Sequence, residues 1–278
     1  MRLKGGFILL LFTVLMSFSA RAVGDETQLD SVQIVKDVEF VWKTSFTQKE
    51  KDRIENLLYS CAYQAQKSLG KYPFKLRFFC TKRNMNGPLG GCRAKFSGPE
   101  KGVHLGIDPR YSDSEFMRDW RTHHEISHLA LPALGKRNRW FFEGFATYCS
   151  RQIMAEANLL SYAEVDSINK ARVDAIREDF DQKGTFLEVI IYHQEHWNFS
   201  AYYWGGATYF LRADRILKKR YDTSMMEVLR EYQLKERNDD RVLLDVIHSW
   251  DAIIGDAMFS RLMKEYRTVS AKTVMSRV

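Results

Sequence analysis

Proline is placed unevenly enough in this chain to constrain the fold. All five prolines, Pro73, Pro88, Pro99, Pro109 and Pro132, lie in the first half of the 278 residues, and residues 133–278 contain none. Proline removes a backbone donor and clashes with the preceding helical turn, so a proline-free stretch of that length permits long helices throughout. The C-terminal half therefore reads as helical. One helix is expected from about Trp140, with others over 161–180, 184–196, 202–220, 223–234, 239–249 and 253–266.

The first half carries the strand signals. Glu39 to Thr44, Phe74 to Cys80, Cys92 to Phe96 and Val103 to Ile107 are short apolar or alternating runs separated by glycine-rich turns. Thr47 to Ser68 puts Ile54, Leu57, Leu58, Cys61, Ala62 and Ala65 on one helical face, with Thr47 and Glu50 spaced as a capping box. A further helix should open in Ser112-Asp-Ser-Glu115 and run unbroken from Ser114 to Leu131, ahead of Pro132 and Gly135. The expected class is α+β: a small mixed sheet packed on helices, followed by a mostly α-helical C-terminal lobe. With 13% aromatic residues the chain has ample surface to bury, which excludes disorder over most of its length.

Residues 1–22 place Arg2 and Lys4 before an apolar run from Phe7 to Phe18, followed by Ala20-Arg-Ala22. Charge, length and end signal are those of a secretory signal peptide, and the run is short for a membrane span. The expected organisation is thus a signal peptide over 1–22, a mixed-sheet lobe over 23–135 and a helical lobe over 136–278, with the product periplasmic or secreted and holding no stable membrane span. Losing Arg2, Lys4 and Arg21 without any acid takes the formal charge from +7 to +4, which argues against nucleic acid as the main partner. In an oxidising compartment, Cys61, Cys80, Cys92 and Cys149 suggest two disulfides, with Cys80–Cys92 stapling the Asn86 to Gly91 turn and Cys61–Cys149 as a longer tie.

His124-Glu125-Ile126-Ser127-His128 is an H-E-x-x-H sequence inside a predicted helix. Positions four apart share a helical face, so both imidazoles can point at one Zn²⁺, while Glu125 beside them can take a proton from water on that metal. A catalytic zinc needs a third protein ligand. Glu143, embedded in Trp140-Phe-Phe-Glu-Gly-Phe-Ala-Thr-Tyr148, is the natural one, because a carboxylate among apolar residues is costly unless it meets a cation or partner.

His124-Glu-x-x-His128 followed by Trp140-x-x-Glu143-Gly-x-Ala-x-Tyr148 resembles the gluzincin, or peptidase MA-like, zinc metallopeptidases, which include thermolysin and the aminopeptidase N relatives. The resemblance implies a zincin-like fold, His124, His128 and Glu143 as zinc ligands, and Glu125 as the group that polarises the attacking water. It extends to Tyr202-Tyr203-Trp-Gly-Gly206-Ala207, similar to a Tyr-x-x-Gly-Ala segment whose tyrosine stabilises the oxyanion. Tyr203 matches that register and Tyr202 competes with it. Val103 to Ile107 resembles the family's antiparallel edge strand, which pairs with extended substrate backbone.

Two departures qualify the likeness. No counterpart of the Gly-x-Met-x-Asn segment that captures a substrate amino terminus is present, which favours endopeptidase over exopeptidase action on peptide or protein substrates. Thr147 stands where thermolysin-like members carry an Asp that orients a zinc-bound His, and its hydroxyl is expected to take that role. His193 and His196 are spaced for a second metal face, but no third ligand accompanies them. His123 lies about 100° around the helix from His124 and is not expected to share its metal, and His104 and His248 read as ordinary polar residues. The alternatives to a peptidase are a zinc-bearing binding or scaffold protein without turnover, and a hydrolase of a non-protein amide such as a cell-wall component.

Overall fold

The described elements run in order β1 (Val38–Trp42), α1 (Gln48–Leu69), β2 (Leu76–Lys82), β3 (Leu89–Lys95) and β4 (Gly102–Ile107). The structure, a computed structural model, describes residues 37–235, 237 and 242–278. The segment read as a signal peptide, residues 1–22, lies outside them. α1 starts as its sequence implies: Thr47 Oγ1 accepts from the Glu50 amide at 3.3 Å while Glu50 Oε2 accepts from the Thr47 amide at 2.8 Å. Its face of Ile54, Leu57, Leu58, Cys61, Ala62 and Ala65 is buried as predicted.

The four strands are ordered β1-β2-β4-β3. β1 and β2 run parallel with Phe40 opposite Phe78, β2 and β4 run parallel with Cys80 opposite Leu105, and β3 closes the edge antiparallel to β4 with Ala94 opposite Val103. This corrects the expected edge. Val103 to Ile107 belongs to β4, an interior strand buried at every residue, and the antiparallel edge strand is β3. The same order rules out the Cys80–Cys92 staple. Two strand spacings separate β2 from β3, about 9.5 Å, beyond the roughly 7 Å that a disulfide's Cα atoms can span. All four cysteines are free thiols. Cys61 faces Met117, with Sγ 3.9 Å from Sδ, rather than Cys149.

The helix expected over 114–131 is two. α2 (Asp113–Arg118) is capped by Ser112, and α3 (Arg121–His128) follows after Asp119 turns extended at ψ 113°. Asp119 causes the break by offering the backbone a side-chain alternative: its carboxylate accepts from the Arg121 amide at 3.0 Å and from the Arg121 guanidinium at 3.1 Å. α3 is held from both sides, with Tyr72 Oη donating to the Ile126 carbonyl at 2.9 Å and His123 Nε2 lying 2.9 Å from Gln64 Oε1 on α1.

The proline-free half is helical as expected: α4 (Arg139–Glu156), α5 (Tyr162–Ala175), α6 (Phe186–Glu195), α7 (Phe199–Arg220), α8 (Met225–Lys235), α9 (Leu243–Ile254), α10 (Met258–Thr268) and α11 (Ala271–Met275). α11 was not anticipated. Phe141 on α4 packs against Tyr209 and Phe210 on α7 at 5.2 and 4.8 Å between ring centroids, and Trp250 on α9 closes the cluster. Stacked against the sheet lobe, this arrangement is α+β with a helical second lobe. Among the described residues no helix is long and apolar enough to cross a membrane.

The helices that frame the site cross at glycines. A Cβ on Gly206 of α7 would lie 2.1 Å from the Trp140 carbonyl oxygen, and one on Gly144 of α4 would lie 2.2 Å from the Gly206 carbonyl carbon. Only hydrogen fits at either position, so the two backbones touch. That contact sets residues 140–143 of α4 against the first turns of α7.

Candidate functional site

Three helices supply the site. On α3, His124 and His128 lie one turn apart and point the same way, with rings 4.7 Å apart. On α4, Glu143 reaches across so that its Oε2 is 3.1 Å from His124 Nε2 and 3.3 Å from His128 Nε2. The three ligand atoms lie within 4.8 Å of one another, and all three residues are buried. Two ligands each about 2.0–2.1 Å from a tetrahedral zinc stand roughly 3.3 Å apart, so these spacings fit that ion. No other group of three His, Cys, Asp or Glu residues among the described ones is so arranged.

Charge and burial fit the same use. Burial lowers the His124 imidazole to about 4, leaving it a neutral ligand. Burial also opposes the charge on His128, but the Glu143 and Glu125 carboxylates outweigh it and raise that imidazole. Burial of Glu143 is overcome by the two imidazoles, which hold its carboxyl well below the usual range. A buried anion flanked by two ring nitrogens is an arrangement that a divalent cation completes.

Glu125 and Tyr203 face the same cleft. Burial pushes the Glu125 carboxyl up to about 7, against the opposing pull of His128 and of the Ala94 backbone on the edge strand. Tyr203 stacks on the His124 ring at 5.6 Å, and its hydroxyl is directed at Glu143. Burial raises the Tyr203 phenol, so it stays a neutral donor. Tyr202, the competitor, is fully buried away from the cleft. α7 starts where the Asn198 side chain accepts from the Ala201 amide at 3.2 Å, which places Tyr203 one turn before the Gly206 crossing.

The other sequence candidates fall outside the site. The Thr147 hydroxyl makes no hydrogen bond, and the Nδ1 atoms of His124 and His128 have no partner either, so Thr147 does not orient them. His123 bonds Gln64 on the far side of α3. His193 Nε2 is 2.9 Å from the Asp179 carbonyl and His196 Nδ1 is 2.8 Å from the Tyr192 carbonyl, so each is used locally. His104 stacks on Phe79 and meets the Glu100 carbonyl.

Sequence reasoning passed over the residues that wall the site. Trp120 packs edge-on against His124 at 4.9 Å, and Phe142 stacks on His128 at 4.4 Å. Arg139 brings its Nε to 3.9 Å from Glu143 Oε1. Trp120 and Arg139 each sit four residues before the side chain they touch, a spacing that was available to find them. Gln194 on α6 was less visible: its Oε1 accepts from the Trp140 amide at 2.9 Å and its Nε2 donates to the Lys136 carbonyl at 3.1 Å, capping a helix that has no cap of its own.

Comparison with solved structures bears on this geometry. A variant of an M1 zinc metallopeptidase from Deinococcus radiodurans, bound to a Tyr-Ser-Ala substrate, matches with a TM-score of 0.50 and 12% identity over 81% of this chain and 47% of that one. A two-domain M1 zinc metallopeptidase variant bound to L-arginine matches with a TM-score of 0.50 and 14% identity over 82% of this chain and 47% of that one. The likeness is one of fold. The chain spans about half the length of these structures. No family model matches it, and no curated protein does.

Proposed function

We propose that this protein is an exported zinc metallopeptidase that cuts within peptide chains. One observation carries the reading: His124 Nε2, His128 Nε2 and Glu143 Oε2 converge in a buried spot at the base of a cleft of about 680 Å³. His124, His128 and Glu143 would hold the zinc, which would supply Lewis acidity and activate a water for attack. Glu125, buried and easily protonated, takes a proton as water attacks the scissile carbonyl and returns it to the leaving amine. The Tyr203 hydroxyl donates to the carbonyl oxygen as negative charge grows there. The outer edge of β3, beside Glu125, offers main-chain groups to an extended substrate.

Endopeptidase action is supported by the sequence, which has no counterpart of the Gly-x-Met-x-Asn segment that captures a substrate amino terminus in the aminopeptidase branch. Glu125→Gln tests the reading. The variant should keep its zinc and lose about 10²–10⁴-fold in peptide turnover, the usual contribution of a positioned acid–base group. Unchanged turnover with zinc bound would end it.

A further inference from the structure

The cleft holds cations that the catalytic chemistry does not use. Its lining carries three, Arg93, Lys136 and Arg139, and three acids, Glu125, Glu143 and Glu195. Glu125 and Glu143 are engaged by the proposed metal centre, which leaves the three cations on the wall opposed by Glu195 alone. Arg139 is the cation nearest the ligands. Its Nε is 3.9 Å from Glu143 Oε1, beyond hydrogen-bonding distance, and no other acid is paired with it among the described residues.

Its placement is not that of a free surface arginine. The guanidinium lies over the Trp197 ring, 5.4 Å from its centroid. Trp197 lines the cleft, is 61% exposed and takes a left-handed backbone conformation at φ 57°. A bulky residue at positive φ costs conformational energy, and such strain persists where the surroundings demand it, commonly at ligand clamps. The cost here holds an indole in water against a guanidinium beside a metal site. Stacking fixes the plane of the fork while its donors stay available, and that fork matches a carboxylate.

We propose that Arg139, steadied by Trp197, receives a carboxylate carried by the substrate close to the bond that is cut. The inference rests on the peptidase reading of the site and narrows its substrates to those that carry a carboxylate near the scissile bond. The carboxylate can come from an Asp or Glu side chain or from the chain's own C-terminus. Arg93 and Lys136 strengthen the field that draws it in.

Binding tests this apart from turnover. Zinc-loaded Glu125→Gln protein is titrated by calorimetry with matched peptides carrying Glu or Gln at successive positions, each made as free acid and as amide. The Glu peptides should bind about tenfold more tightly at one position, as expected for a hydrogen bond between charged groups. Adding Arg139→Gln should bring that ratio near one, Arg139→Lys should restore part of it, and Trp197→Ala, at an exposed residue, should weaken it. Zinc content is measured for each protein. A preference seen only between free acid and amide supports the proposal and assigns the terminal carboxylate. Equal affinities throughout, or a preference that survives Arg139→Gln, overturn it. If wild-type zinc protein cleaves no peptide while acid-selective binding persists, the peptidase reading fails and the carboxylate receptor stands.

Discussion

Gly206→Ala probes the contact that aligns α4 with α7. The added Cβ would stand 2.1 Å from the Trp140 carbonyl oxygen and 3.1 Å from the Gly144 Cα, where ordinary contact begins at 3.4 Å. Both obstacles are backbone, so neither can swing aside, and the helices must part by more than 1 Å. Overpacking of this kind costs about 1–3 kcal/mol. The clash is with backbone, which puts the cost in the upper part of that range, about 2–3 kcal/mol, and alanine's better helix propensity returns about 1 kcal/mol, which leaves a net loss of about 1–2 kcal/mol. For a domain of this size that lowers Tm by about 2–8 °C. The larger effect should be on turnover, since Tyr203 and Glu143 ride on the two displaced helices and an ångström of misplacement can cost about 100-fold. Thermal melts and kcat on a cleaved peptide, with zinc measured alongside, read both effects. Gly144→Ala strikes the same contact, so the double variant should lose less than the sum of the singles. Tm within a degree of wild type and kcat within a factor of two would refute the close crossing.

Other expectations follow from the same geometry. Glu143→Gln should lower the zinc retained after dialysis, because the neutral amide gives up the anion that both imidazoles face; metal analysis of the dialysed protein decides it. Gln194→Ala should cost about 1 kcal/mol in urea unfolding, the usual value of a lost N-terminal helix cap, and an unchanged midpoint would deny Gln194 that role. Burial raises the Glu125 carboxyl to about 7, and only the ionised form accepts a proton, so kcat/KM should fall about tenfold per pH unit below its pKa. Bound zinc favours the carboxylate and shifts that limb to lower pH. A flat acid profile in wild type would contradict Glu125 as the base.

Local features were legible in the sequence, and pairing was not. The α1 capping box, the paired histidines of α3 and the buried Glu143 are each written within a few residues, where helical period and burial cost act directly. The strand order depends on which distant edges meet, and no local signal says that β4 enters the sheet between β2 and β3. One topological fact misplaced both the edge strand and the Cys80–Cys92 staple. The break at Asp119 was missed because a single carboxylate, by bonding the Arg121 amide, overrode a helical pattern that otherwise continued. The register of Tyr203 with Gly206-Ala207 was visible in the sequence, but its place in the cleft depends on the Gly144–Gly206 contact, a meeting of two helices far apart in sequence.

The most direct measurement is a crystal structure of the protein grown with zinc, with anomalous scattering recorded across the metal's absorption edge. One peak about 2.0–2.1 Å from His124 Nε2, His128 Nε2 and a Glu143 oxygen is the predicted result, with the fourth position open to the cleft. A peak elsewhere, or one whose coordination shell is closed by protein ligands, would contradict the metallopeptidase account.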